Sequence, residues 1–170
     1  MKNIYSISLL FVCWLSSVDV HAQLVTLSPP NANGDDAITI TFDANEGGKE
    51  LLTANKVYVH AGVVTDAPDG TEWQHVVGNW GNDDGVGEMT PVDGEPGKWE
   101  IILAPSARAY FGVPEGTNMF RLSLVFRNAA GDKKATINSG TYDWGYVASN
   151  GDIYIDLAMG EFIQVSSPFE

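Results

Sequence analysis

From Gln23 to Leu157 the chain is a series of short apolar–polar alternations set between turn residues. Ile38, Ile40 and Phe42 fall on one side of an extended segment, with Thr39 and Thr41 on the other. Val57-Tyr58-Val59-His60 alternates in the same way, with Tyr58 and His60 opposite the valines. Trp99, Ile101 and Leu103 share a face, and so do Phe120, Leu122, Leu124 and Phe126, with Arg121, Ser123, Val125 and Arg127 opposite. Period-two patterning of this kind predicts strands. Gln23–Ser28 and Ile153–Leu157 complete the main set, and Phe162–Val165 is a further candidate. Turn chemistry separates them at Ser28-Pro29-Pro30, Asn33–Asp36, Pro68-Asp69-Gly70, Asp93–Gly97 and Ser149–Asp152. No stretch holds a helical period. Leu51–Asn55 and Ser106–Phe111 could each form about one turn of helix. The expected fold is all-β, an antiparallel sandwich of about seven to nine strands. A tryptophan within a strand, with no cysteine bridge, fits the immunoglobulin-like variant.

The first 22 residues read differently. Lys2 is followed by an apolar run from Ile4 to Leu15, and Val20-His21-Ala22 places small residues where a signal peptidase reads. The run is shorter than the about 20 apolar residues of a membrane span. It predicts a signal peptide over 1–22, one module over 23–165 and a tail or linker start over 166–170. The chain is then secreted or held at the cell surface, with no membrane insertion. The only cysteine, Cys13, lies within the leader, so the exported part has no disulfide or thiol chemistry. The formal charge of −13 opposes a phosphate backbone and makes nucleic acid a poor partner. Neutral ligands such as sugars meet no such barrier.

Candidate chemistry is sparse. There is no Gly-x-Ser-x-Gly elbow, and His60 and His75 lack metal-ligand spacing. Neither a cofactor nor a resident metal is expected. Asn82-Asp83-Asp84-Gly85 is the densest oxygen cluster, but it lacks the spacing of a calcium loop and reads as an ordinary turn. With 22 acidic residues in the chain, a pair of carboxylates carries no information about glycoside hydrolysis. The tryptophans say more. Trp99 belongs to an apolar strand face and is expected in the core. Trp73, Trp80 and Trp144 sit in polar, loop-like surroundings. An exposed indole can lie on the C–H face of a pyranose while polar neighbours bond its hydroxyls, which is the usual division of labour in a small-ligand site. Trp73, Trp80 and Trp144 are therefore the stacking candidates, and His60, Gln74 and Asp83 the hydrogen-bonding ones.

The order Ile38–Ala44, Val57–Val64, Trp73, Val77–Thr90, Lys98–Ile101, Phe111–Pro114, Phe120–Asn128 resembles the immunoglobulin-like N-terminal domain of secreted bacterial alpha-amylase-family enzymes. It is also similar to starch-binding modules with a Tyr-x-His strand, a following tryptophan and a Gly-x-Met segment. The resemblance covers about residues 24–158. It implies a non-catalytic module that binds starch-like α-glucan through Tyr58, His60 and Trp73. Its expected partners are a polysaccharide or oligosaccharide and a catalytic domain in the same full-length protein. The competing expectation is a spacer that packs on such a domain and binds no sugar.

Overall fold

The structure, a computed structural model, describes residues 23–159. The expected leader over 1–22, the candidate strand over Phe162–Val165 and the expected tail over 166–170 lie outside the described residues. Among the described residues, ten strands and one short helix form in chain order: β1 (Val25–Ser28), β2 (Ile38–Asp43), β3 (Val57–Val64), β4 (Gln74–Val77), β5 (Thr90–Pro91), β6 (Lys98–Leu103), α1 (Ala107–Phe111), β7 (Arg121–Asn128), β8 (Gly140–Tyr142), β9 (Gly145–Val147) and β10 (Ile153–Asp156). All pairings are antiparallel. One sheet has the order β1-β2-β6-β5, the other β4-β3-β7-β10-β9-β8. With β8 and β9 set aside, this is the strand order of an immunoglobulin sandwich, A-B-E-D on one sheet and C′-C-F-G on the other.

The alternations do what the pattern requires. Ile38, Ile40 and Phe42 of β2 face Val57, Val59, Ala61 and Val63 of β3 and Leu122, Leu124 and Phe126 of β7 across the core. Phe42 and Phe126 stack between the sheets with ring centroids 4.3 Å apart. Each buried side chain of this size contributes about 1.5–3 kcal/mol. Trp99 is buried among them. Ser106 caps α1, its hydroxyl accepting from the Ala109 N–H at 3.1 Å. Leu51–Asn55 forms turns rather than a helix.

The six-stranded sheet departs from simple alternation, because β3 and β7 are buried on both faces. The segment from Gly70 to Glu88 lies across its outer side. Arg121 Nη1 donates to the Gly70 carbonyl, the Tyr154 hydroxyl to Thr71, and Arg127 Nη2 to Asn79 and Asn82. Tyr58, Ser123, Val125 and Tyr154, outward by parity, are thereby enclosed.

A bulge in β4 sets how this cover lies. Ala61 pairs with Val77 and Val63 with Gln74, so two steps on β3 match three on β4. The extra residue is accommodated at His75, which takes a positive φ of 51°. Trp73 and Val76 would otherwise point to opposite faces, and here both lie over Gly62 on the outer one. A Cβ on Gly62 would stand 3.0 Å from the Gln74 carbonyl oxygen and 3.2 Å from the Trp73 ring. Gly62→Val is expected to lower unfolding free energy by about 1–3 kcal/mol through overpacking. Urea denaturation measures it, and an unchanged midpoint would mean that Trp73 does not rest there.

Candidate functional site

Five rings follow one another across the outer face of the six-stranded sheet. Tyr146 lies 6.1 Å from Tyr154, Tyr154 lies 6.5 Å from Trp73, Trp73 lies 5.9 Å from His60, and His60 lies 5.7 Å from Trp80. Strand register explains the line. Tyr154 on β10 pairs with Tyr146 on β9 and with Ser123 on β7, and Ser123 pairs with Gly62, where Trp73 rests. Trp73 Nε1–H donates to the Tyr154 hydroxyl at 3.0 Å, and that hydroxyl donates to the Thr71 carbonyl at 3.0 Å. Tyr154 is buried and fixes Trp73, whose ring stays partly open. Trp80 is 48 % exposed and Tyr146 is 36 % exposed, so the line opens to solvent at both ends.

Trp80 stands on a turn closed by the Asn82 N–H donating to the Asn79 carbonyl at 3.1 Å. Arg127 holds that turn from below. It is fully buried on the outer face of β7. Its Nη1 donates to the Asn128 and Ala129 carbonyls and its Nη2 to the Asn79 and Asn82 carbonyls, all at 2.9–3.0 Å. The guanidinium lies 4.5 Å over the Tyr58 ring and 6.0 Å from Trp80. A planar fork with several donors suits this clasp, and an ammonium would not reproduce it.

The residues singled out in the sequence part company here. His60, Trp73 and Trp80 come together. Tyr58 is a correction to the expected contact set: it is fully buried beneath Arg127 and has no face for a ligand. Its hydroxyl sits between the Asp83 and Glu88 carboxylates, 2.9 Å from Glu88 Oε2. Burial first, then those carboxylates, push the phenol up to about 12. Asp83 remains exposed beside this cluster, with Lys56 Nζ 2.8 Å away, and the bonds from Lys56 and then Tyr58 hold its carboxyl below the usual range. Gln74 does not join this group. It pairs with Val63 and turns from the outer face, its Oε1 accepting the Thr65 N–H at 2.7 Å and the Thr65 hydroxyl at 2.9 Å. Trp144 lies apart, in the β8–β9 connection at the other edge of the sheet, stacked on Tyr142 at 5.0 Å.

Tyr146, Tyr154 and Arg127 escaped the sequence reading. Arg127 carried one signal: it shares its strand face with Val125, an apolar residue out of place on a solvated side. The two tyrosines gave none: β9, which carries Tyr146, is only three residues long, and Tyr154 falls within the expected strand Ile153–Leu157 with nothing to mark a ring partner.

A family described as a domain of unknown function, DUF8578, matches residues 25–135. The chain belongs to that family. The matched span holds His60, Trp73, Trp80 and Arg127 and ends before the β8–β9 hairpin. No curated protein matches the chain.

His60 lies between the two indoles, 5.9 Å from Trp73 and 5.7 Å from Trp80. Its Nδ1 is buried against Gly78 without a hydrogen bond of ordinary geometry. Among the described residues, no three His, Cys, Asp or Glu side chains gather as a metal site.

Two outcomes follow from this geometry. Arg127→Lys is expected to cost about 2–3 kcal/mol in urea denaturation, since carbonyls that bonded a charged donor lose it. A change within about 0.5 kcal/mol, ordinary for a surface site, would show that the clasp does not hold the loops. For His60, burial first and the Arg127 charge second lower the imidazole below its ordinary 6.5. The unfolded chain then binds the proton more tightly. This contribution to stability is complete above pH 6.5 and is lost as the pH falls through 6.5 toward the native value. NMR titration of the ring should place its midpoint below 6.5, and a midpoint at or above that value would contradict the enclosed setting.

Proposed function

We propose that the domain is a non-catalytic carbohydrate-binding module for starch-like α-glucan, carried by a secreted glycoside hydrolase of the alpha-amylase kind. The observation that carries this reading is the half-exposed Trp80 indole, held on a braced turn and adjoining the open parts of His60 and Trp73. A large apolar ring kept in water at a rigid position is costly to maintain for stability alone, and it suits a ligand with an apolar face.

The inclination of the rings supports a curved chain. Trp73 and His60 are nearly parallel, at 27°, whereas His60 and Trp80 meet at 86°. The two indoles therefore do not form one flat shelf. A flat β-linked ribbon prefers coplanar platforms. An α-1,4-linked chain turns successive pyranose faces and can meet inclined ones. The acidic surface disfavours anionic polysaccharides and leaves a neutral glucan unopposed. The roles shift from those expected: Trp80 and Trp73 stack, His60 bonds a hydroxyl at the rim, and Asp83 is available beside the Trp80 turn. Tyr58 acts from beneath as a brace.

A second reading, the spacer, rests on a different surface. Ile102 on β6 is 57 % exposed on the outer side of the four-stranded sheet, where a neighbouring domain could cover it. The two readings use opposite faces and are separable.

Retention on insoluble starch is the test. The wild-type chain should bind, and Trp80→Ala should weaken binding at least about tenfold, the worth of one lost aromatic stack. Circular dichroism should show the sandwich intact, because this side chain is half in water. Equal retention of the two proteins would remove the assigned site.

A further inference from the structure

The line of rings does not end at Tyr146. A groove of about 620 Å³ runs between β1 and the β8–β9 hairpin, and Tyr146 lines it together with Tyr142, Trp144, Thr26, Arg121 and Asp156. That volume is in the range of small-ligand clefts. Tyr146 therefore belongs to both features: one contact reaches Tyr154 and the Trp73–His60–Trp80 line, and the other opens on the groove.

The groove's chemistry matches that of the line. Tyr142 and Trp144 stack at 5.0 Å with 21° between their planes and form an aromatic wall. Arg121 Nε donates to Asp156 Oδ1 at 2.6 Å, and Arg121 also holds the Gly70 carbonyl at 3.2 Å. The Asp156 side chain remains 73 % exposed. Because the pair neutralises itself, it offers donors and acceptors without net charge. Asp143 at the rim accepts only a 3.4 Å bond from Gln23 and leaves the rim acidic. Aromatic faces, a self-neutralised hydrogen-bonding pair and an acidic rim select a neutral polyhydroxylated ligand and repel an anion.

Resting on the saccharide reading above, we propose that the groove is a second contact for the same glucan chain, joined to the first across Tyr146. The domain would then engage an internal stretch of a long chain rather than a short oligosaccharide. Two contacts on one chain reinforce each other, since the second forms at high effective concentration once the first is made. Trp144 thereby acquires a role distinct from that of Trp80, as a second platform.

Chain-length dependence tests this, with maltotriose and maltodecaose as probes in calorimetry and with NMR of the indole N–H signals. Maltodecaose should bind at least about tenfold tighter than maltotriose, the worth of one further stack. It should shift the Trp80 and Trp144 signals together. Trp144→Ala should reduce the decaose affinity to the triose level and leave triose binding unchanged. Since Trp144 packs partly on the core, Tyr146→Ala at an exposed site provides the second variant, and it should lower the ratio of decaose to triose affinity toward one. Equal affinities for the two lengths, an unmoved Trp144 signal, or variants that leave the ratio intact would each overturn the proposal. If neither oligosaccharide binds, the saccharide reading itself falls.

Discussion

A positive charge buried without a carboxylate partner governs the functional face. Arg127 is enclosed on the outer side of β7, and among the described residues no acidic group comes within salt-bridge distance of it. Burying such a charge unaided would be prohibitive. Carbonyls from two loops satisfy both Nη groups, with the Tyr58 ring on one side and Trp80 close by, while Nε has no partner among the described residues. The dependence runs both ways. The loops solvate the guanidinium, and the guanidinium fixes where the loops stand. The position of Trp80 relative to His60 follows from this exchange, so the exposed platform inherits its rigidity from a residue that no ligand can touch.

The same logic explains how a loop can be held in a fixed place here. Segment 70–88 has little regular structure outside β4, yet it is tied to the sheet at Arg121, Tyr154, Arg127 and Tyr58 in succession. Gly62 removes a side chain where Trp73 must rest, and Gly78 removes one where the segment meets the His60 ring. The face is therefore ordered before any ligand arrives. A ligand that buries little surface gains most from this, because it has no ordering cost to offset.

Where alternation was long and unbroken, the fold was legible: β2, β3, β6 and β7 each carry it, and Phe42 and Phe126 meet as their parity required. The missed strands are β4, β5, β8 and β9, all of four residues or fewer. In β4 the bulge at His75 also breaks the period of two, so no periodic reading could have put Trp73 and Val76 on one face. The misassignments at the site have the same origin. Alternation correctly placed Tyr58 beside His60 on the outward side of β3. It could not show that a segment some twenty residues later would cover one and leave the other half open. Gln74 looked available because Trp73 next to it is, but adjacent residues in an extended chain point apart.

What remains is why a weak platform would be worth maintaining. A few stacked rings with a handful of hydrogen bonds support affinities from millimolar to micromolar, about 4–8 kcal/mol. Alone, such a site would hold a soluble sugar only briefly. On a polymer the position changes, because each released contact stays near other identical units of the same chain. Joined to a catalytic domain, as proposed, the module would gain again, since its substrate would then be presented at high local concentration. Weakness would then have a use, because a tight site would hold such an enzyme in place on a substrate it must move along. What the face holds constant is the angle between its rings. The expensive part of the structure, the buried Arg127 and its loops, is spent on holding that angle.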